Sequence, residues 1–145
     1  MGVVCSIGTG REQFSSMLRE GISGEKKISL FDVQGAGCST ACQIQPFDYK
    51  NILGDIKSRY LDRSTLLGLT AMKLALDDGA VREEQQKNLG VVIGSAFGSL
   101  WSAAEYTRDI FTRGPMSINP MKFPNTVMNS PASQINIRYG LKSLS

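Results

Sequence analysis

From Asp62 to Gly79 the chain reads DRSTLLGLTAMKLALDDG, with Leu66, Leu67, Leu69, Ala71, Met72, Leu74, Ala75 and Leu76 leaving little polar face before Asp77 and Asp78. A helix apolar all round is covered on several sides, so this one belongs inside a fold and not on its surface. A polar connection from Arg82 to Asn88 separates it from Leu89 to Ile93, LGVVI. That unbroken apolar run predicts a strand in a sheet covered on both faces. Buried helix, polar turn and central strand in succession predict the α/β class.

With 145 residues, the chain is long enough for one domain with a real core, and 41% hydrophobic with 20% charged is ordinary globular usage. No apolar run approaches the ~20 residues that span a bilayer. The N-terminus lacks the basic, then apolar, then small-residue order of a signal peptide, so the expected location is the cytoplasm, with no membrane partner. The net charge of +3 is scattered, without a basic stripe interleaved with aromatics. That argues against nucleic acid and leaves a mild attraction to an acidic protein partner.

Three cysteines and no histidine constrain the chemistry further. An odd number of thiols without a secretion signal points to reduced cysteines. Without histidine a zinc site needs four cysteines, so neither a metal site nor a cofactor is expected. The usual general base for a serine or cysteine nucleophile is missing too. Any acyl-transfer chemistry needs groups from outside these residues.

The N-terminal run GVVCSIGTG, Gly2 to Gly10, leads into a helix with Phe14, Met17 and Leu18 on one face, closed by Gly21. Gly8 and Gly10 stand where a phosphate cradle would, but the full dinucleotide fingerprint is missing, and a tight turn is the better reading. Gly24 to Tyr49 reads as an excursion with short strands at Ile28 to Phe31 and Gln43 to Phe47. Within it, Ser39-Thr40-Ala41-Cys42 resembles a nucleophile motif. Cys42, however, runs into Gln43-Ile44-Gln45-Pro46, strand-like sequence that cannot give a thiolate the helix N-terminus that lowers its pKa. The Cys38-x-x-x-Cys42 spacing is not a usual redox one either.

After the LGVVI run comes Gly94-Ser95-Ala96-Phe97-Gly98-Ser99-Leu100, then an amphipathic helix through Trp101, Ala104, Tyr106, Ile110 and Phe111 to Gly114. Ligands of open α/β sheets gather at the carboxyl ends of strands, where this glycine loop falls. Its spacing is equally that of a plain strand-to-helix turn. From Ile118 to Leu144, Pro120 and Pro124 hold an extended entry to a helix expected to start near Asn125. Thr126, Asn129, Ser130, Ala132 and Ser133 give it a small side that suits close approach to another backbone. Pro131 either kinks it or restarts it with Ser130 as cap. Gly140 ends it in the left-handed conformation, with Arg138 and Lys142 at the negative end of the dipole.

These pieces, in this order, resemble the N-terminal half of a beta-ketoacyl-acyl-carrier-protein synthase, the elongating condensing enzyme of the thiolase fold. GVVCSIGTGREQF looks like that family's first loop and helix, and SRYLDRSTLLGLTAMKLALDDG like its long buried helix. LGVVIGSAFGSL resembles its strand and glycine loop, and INPMKFPNTVMNSPASQINIRYGLKS its dimer-interface segment. The resemblance implies an incomplete N-terminal half of a thiolase-like fold layered α-β-α-β-α, as one truncated domain over residues 1–145. It places Phe97 and Gly98 in the acyl pocket, and Pro124, Asn125, Thr126, Asn129 and Ser133 at a dimer interface. It also implies an acyl thioester substrate, an acyl carrier protein partner, and a homodimer or a heterodimer with a second ketosynthase-type chain.

The departures from the family pattern are specific. The family's first strand precedes the position of Gly2, where this chain has Met1. The family's threonine-alanine-cysteine nucleophile follows the dimer segment, and two histidines follow that, whereas this sequence stops at Ser145. Cys42 lies in the variable excursion and does not align with the nucleophile, so no catalytic residue is expected within the chain. Ala96 and Ser99 stand where glycines are common, and Phe97 where a smaller aliphatic residue usually gates the pocket. Two functional readings follow: part of a condensing enzyme in fatty acid or polyketide synthesis, or a non-catalytic, chain-length-determining partner subunit.

Overall fold

The computed structural model describes residues 1–143; Leu144, the end of the predicted interface segment, and Ser145 lie outside the described residues. The chain opens on a hairpin in which β1 (Val4–Cys5) pairs antiparallel with β2 (Gly8–Thr9). Gly10, at φ 85°, then turns the backbone directly into α1 (Arg11–Arg19), as the tight-turn reading requires. Ahead of the hairpin the backbone lies on the long helix. A Cβ on Gly2 would fall 1.8 Å from the carbonyl oxygen of Ala71, an approach open only to glycine.

The excursion carries a second two-stranded ladder, β3 (Lys26–Lys27) with β4 (Thr40–Ala41). The strands expected at Ile28 to Phe31 and Gln43 to Phe47 are therefore displaced toward the N-terminus. The cause is a change of hydrogen-bonding partner. Ile28 N still donates to Ser39 O at 2.9 Å, but Ser29 N donates to the side chain of Gln43 at 3.0 Å and Ser29 Oγ to that of Gln45 at 2.9 Å. Glutamine amides replace the backbone ladder from this point.

After α2 (Tyr49–Leu53), α3 (Arg63–Asp78) occupies the position predicted for the long helix, capped by Asp62 and closed by Gly79. Thr65, Leu66, Leu69, Thr70 and Leu76 are buried along it. The short α4 (Glu83–Gln86) follows. The next stretch differs from expectation: Leu89 to Ile93 belongs to no strand or ladder, and while Val91 is buried, Val92 is 95% exposed. A central strand needs neighbours for its N–H and C=O groups. Among the described residues no strand pairs with it.

α5 (Leu100–Arg113) ends at Gly114, φ 80°. The interface segment then departs from a helix starting near Asn125. A 3₁₀ turn spans Pro120–Thr126, Val127 is extended, and α6 (Ser130–Tyr139) begins afresh with Asn129 at the cap and Pro131 in its first turn. Proline costs nothing there, because the first N–H groups of a helix lack internal partners anyway. The restart is thus the correct alternative, with the cap one residue earlier than Ser130. Gly140 ends α6 in the left-handed region, φ 61°. Arg138 donates to Leu53 O at 3.0 Å, pinning α6 to the end of α2.

The core sits between α3, α6 and α2: Leu53, Leu69, Val91, Ile135 and Leu141, flanked by Met72, Leu89, Ala132 and Tyr139. Each fully buried Leu or Ile stabilises the fold by about 1.5–3 kcal/mol. Gly68 lets α6 come close; a Cβ there would lie 3.3 Å from Ile135 Cδ1. Among the described residues no helix is long and apolar enough to cross a membrane.

Candidate functional site

The glycine loop is built by one unusual backbone angle. Gly98 has φ +52°, and a Cβ on it would meet Met128 Cγ at 3.2 Å, so the loop presses against the interface segment. Ser95 Oγ accepts the Gly98 N–H at 2.8 Å, and Phe97 O accepts Leu100 N at 3.0 Å, closing the turn into α5. Ser99, at the N-cap of α5, is buried and donates its hydroxyl to Thr126 O at 2.8 Å. The turn throws Phe97 outward, 78% exposed.

Two clefts meet at Gly98. One, of about 370 Å³, is lined by Leu67, Val92, Ile93, Met128 and Pro131. The other, of about 520 Å³, lies between Leu30 and Phe31 of the excursion, Leu67 of α3 and Trp101 of α5. Phe97 is in neither lining. Both volumes fall in the ~300–1,000 Å³ range of small-molecule sites, and both linings are mainly apolar with a few polar groups at the edge. Of the two predicted pocket residues, only Gly98 lines these clefts.

Asp62 joins the helices beside these clefts. Its Oδ1 accepts Thr65 N at 2.8 Å, and its Oδ2 accepts Ser64 Oγ at 2.9 Å and, at 3.4 Å, Ser102 Oγ of α5. Next to it, Arg63 donates to Ile44 O at 2.5 Å and lays its guanidinium 5.2 Å from the Phe47 ring centroid, fixing the excursion to the start of α3. Asp62, directly before an apolar run, carried a readable cap signal. Arg63 carried none, because its partners lie about twenty residues away in irregular chain.

The predicted interface residues divide into two groups. Asn125 and Thr126 are half-buried and bonded within the chain: Asn125 Nδ2 donates to Tyr60 O, Ser130 Oγ donates to Asn125 Oδ1 at 3.4 Å, and Thr126 Oγ1 donates to Phe123 O at 2.8 Å. Pro124 and Asn129 are exposed and Ser133 is half-buried. Along the same segment Met121, Phe123, Val127, Met128 and Ile137 are exposed apolar side chains.

The thiols stand apart from the glycine loop's clefts. Cys42 is exposed just past β4 and no helix begins there. Cys38 Sγ donates to Thr40 O at 3.2 Å, and half-buried Cys5 donates to Gly8 O at 3.4 Å.

Comparison with known proteins places this geometry. The 3-oxoacyl-(acyl-carrier-protein) synthase 2 of Vibrio harveyi is 29% identical over 144 residues, covering 98% of this chain and 35% of that protein. The chain thus spans about a third of the length of the curated relatives it matches. Among solved structures, the ishigamide ketosynthase/chain length factor superposes with a TM-score of 0.77 at 23% identity, over 99% of this chain and 36% of that one. A type II PKS acyl-carrier protein in complex with its ketosynthase bound to the hexaketide gives a TM-score of 0.73 at 22% identity, over 99% and 35%. At these identities the likeness is one of fold, and the chain carries part of a thiolase-like α/β fold. Residues 1–145 match the family described as Beta-ketoacyl synthase, N-terminal domain, and the chain belongs to that family.

Proposed function

We propose that these residues form the N-terminal part of a ketosynthase that joins an acyl thioester to malonyl-acyl carrier protein by decarboxylative Claisen condensation. The family match over residues 1–145 carries this reading. In that reaction a cysteine thiol takes the acyl group and releases the donor thiol. Loss of CO₂ from the malonyl thioester then generates an enolate, whose carbon attacks the acyl carbonyl and expels the cysteine thiolate. Histidines and backbone amides stabilise the enolate and oxyanion. The chain has no histidine. The reacting cysteine and histidines belong to the remaining portion of such a protein, and Cys42 is not the acyl acceptor.

In this reading residues 1–145 supply scaffold, part of the acyl pocket and a dimer surface. Phe97 and Gly98 border the pocket, and Pro124, Asn125, Thr126, Asn129 and Ser133 meet a second ketosynthase-type chain, identical or different. The exposed apolar side chains of that segment support the assignment. The carrier partner is an acyl carrier protein and the setting is the cytoplasm.

The likeness to a ketosynthase/chain length factor supports a second reading, a non-catalytic subunit that sets chain length in a heterodimer. Intact-mass measurement on the whole protein separates the two. A condensing enzyme gains the mass of one acyl group from an acyl thioester and, given malonyl-acyl carrier protein, yields a 3-oxoacyl product. If neither occurs for the protein alone, but a partner chain becomes acylated in its presence, the second reading holds.

A further inference from the structure

We propose that Ser99 is a positioning residue whose hydroxyl clasps the glycine loop to the interface segment, so that the placement of Gly98 follows that of residues 125–128. The first sign is a bond this side chain does not make. Ser99 stands at the N-cap of α5, where a serine hydroxyl usually accepts an N–H of its own helix, and among the described residues it makes no such cap bond. Instead the hydroxyl, on a residue only 6% exposed, donates to Thr126 O at 2.8 Å, 27 residues along the chain.

Each end of that bond is tied into its own surroundings. On the loop side, Ser95 Oγ accepts Gly98 N–H at 2.8 Å and Phe97 O accepts Leu100 N–H at 3.0 Å, so the turn from Ser95 to Leu100 moves with Ser99. On the other side, Asn125 Nδ2 donates to Tyr60 O, and Asn125 Oδ1 accepts Ser130 Oγ at 3.4 Å, which joins the segment to the residues before α3 and to the start of α6. Between the two, Gly98 at φ +52° leaves space for Met128; a Cβ on it would lie 3.2 Å from Met128 Cγ. A methionine side chain adapts to whatever faces it, whereas a hydrogen bond holds distance and direction, so the Ser99 hydroxyl is the link that sets register.

Without the hydroxyl, the half-buried Thr126 carbonyl loses this donor, and the loop and the segment open independently of each other. The effect on turnover rests on the acyl-transfer reading, in which Gly98 borders the acyl pocket. A loosened loop then acts on the acyl thioester and not on the malonyl carrier.

The test uses the whole protein and hydrogen exchange read by mass spectrometry in peptides covering 94–100 and 121–129, with thermal midpoints followed in parallel. Ser99→Ala should speed exchange about five- to tenfold in both peptides and leave the stretch 66–76 of α3 unchanged. Faster exchange at one end only, or throughout the molecule, overturns the clasp. Ser99→Thr keeps the hydroxyl and should stay at the parent rate, and raised exchange at an unchanged midpoint counts against the proposal. Where the extra methyl lowers the midpoint, Ser99→Gly, which adds no atom, decides: it should exchange at least as fast as Ser99→Ala, and parental rates refute the clasp. Asn125→Ala frees the segment from Tyr60 and should speed the loop peptide in the parent but add nothing in Ser99→Ala; equal increments in both backgrounds overturn the coupling. In turnover, Ser99→Ala should lower kcat/KM for the acyl thioester about five- to tenfold with KM for malonyl-acyl carrier protein unmoved, and an unchanged kcat/KM removes the positioning role. The expected exchange pattern without condensation product from the parent sinks the catalytic reading and leaves the clasp standing, whereas product with uncoupled exchange does the reverse.

Discussion

Replacing Asp62 by alanine removes three bonds at the start of the 16-residue helix α3: the cap to Thr65 N at 2.8 Å, the bond from Ser64 Oγ at 2.9 Å and the longer one from Ser102 Oγ at 3.4 Å. A lost cap costs about 1 kcal/mol, and loss of a negative charge at a helix N-terminus about 0.3–1 kcal/mol. Thr65 is 0% exposed, so water cannot replace the missing acceptor and the cap term moves to the upper part of its range. The expected loss for Asp62→Ala is about 2 kcal/mol. Asp62→Asn keeps an oxygen acceptor of the same reach and gives up only the charge, so it should lose about 0.5 kcal/mol. Urea unfolding followed by circular dichroism reads both, with the midpoint falling at constant slope. If the asparagine variant is as damaged as the alanine variant, or alanine costs nothing, Asp62 does not act as the cap described.

Further outcomes are expected. Leu69→Ala should cost about 2–5 kcal/mol, because Leu69 is 2% exposed, and the double variant with Ile135→Ala should depart from additivity, since both side chains belong to one core cluster. Gly98→Ala should cost about 1–2 kcal/mol for its left-handed backbone, with further strain against Met128, read as a lower thermal midpoint. In the whole enzyme, Phe97→Ala should move kcat/KM toward the longer of two saturated primers by about five- to a hundred-fold; an unmoved ratio removes Phe97 from the pocket. Maleimide should label exposed Cys38 and Cys42 faster than half-buried Cys5. An acyl thioester should show no preference for Cys42, and selective acylation there would reinstate it as a nucleophile.

The elements legible in the sequence are those whose cause is local. Asp62, the apolar run to Leu76 and Gly79 define α3 by themselves, and Gly114 and Gly140 end α5 and α6 where a left-handed residue is needed. What was not legible depends on distant partners. Leu89 to Ile93 has the composition of a central strand, but pairing is decided by neighbouring backbone that local composition does not reveal. The displaced ladder of the excursion has the same origin, since nothing local announces that Gln43 and Gln45 will serve Ser29. In the interface segment Pro120 and Pro124 do not hold an extended entry, because both lie within the 3₁₀ turn Pro120–Thr126. The 3₁₀ form of Pro120–Thr126 instead reflects Asn119, whose side chain accepts Met121 N, and inward bonds from Asn125. At the site, glycine spacing revealed the loop, whereas the second cleft needed the excursion folded back onto α3.

The excursion's mode of attachment bears on how such chains diversify. Its ladder is two residues long on each side, and the rest is fastened by the side chains of Gln43, Gln45 and Arg63. A segment held mainly by side chains can gain or lose residues between Leu30 and Cys38 without shifting the register of any strand, because no ladder passes through that span. Evolution, or an engineer exchanging loops between relatives, can therefore rewrite this part of the surface as a cassette, provided the arginine at the head of α3 and its carbonyl and ring anchors travel together.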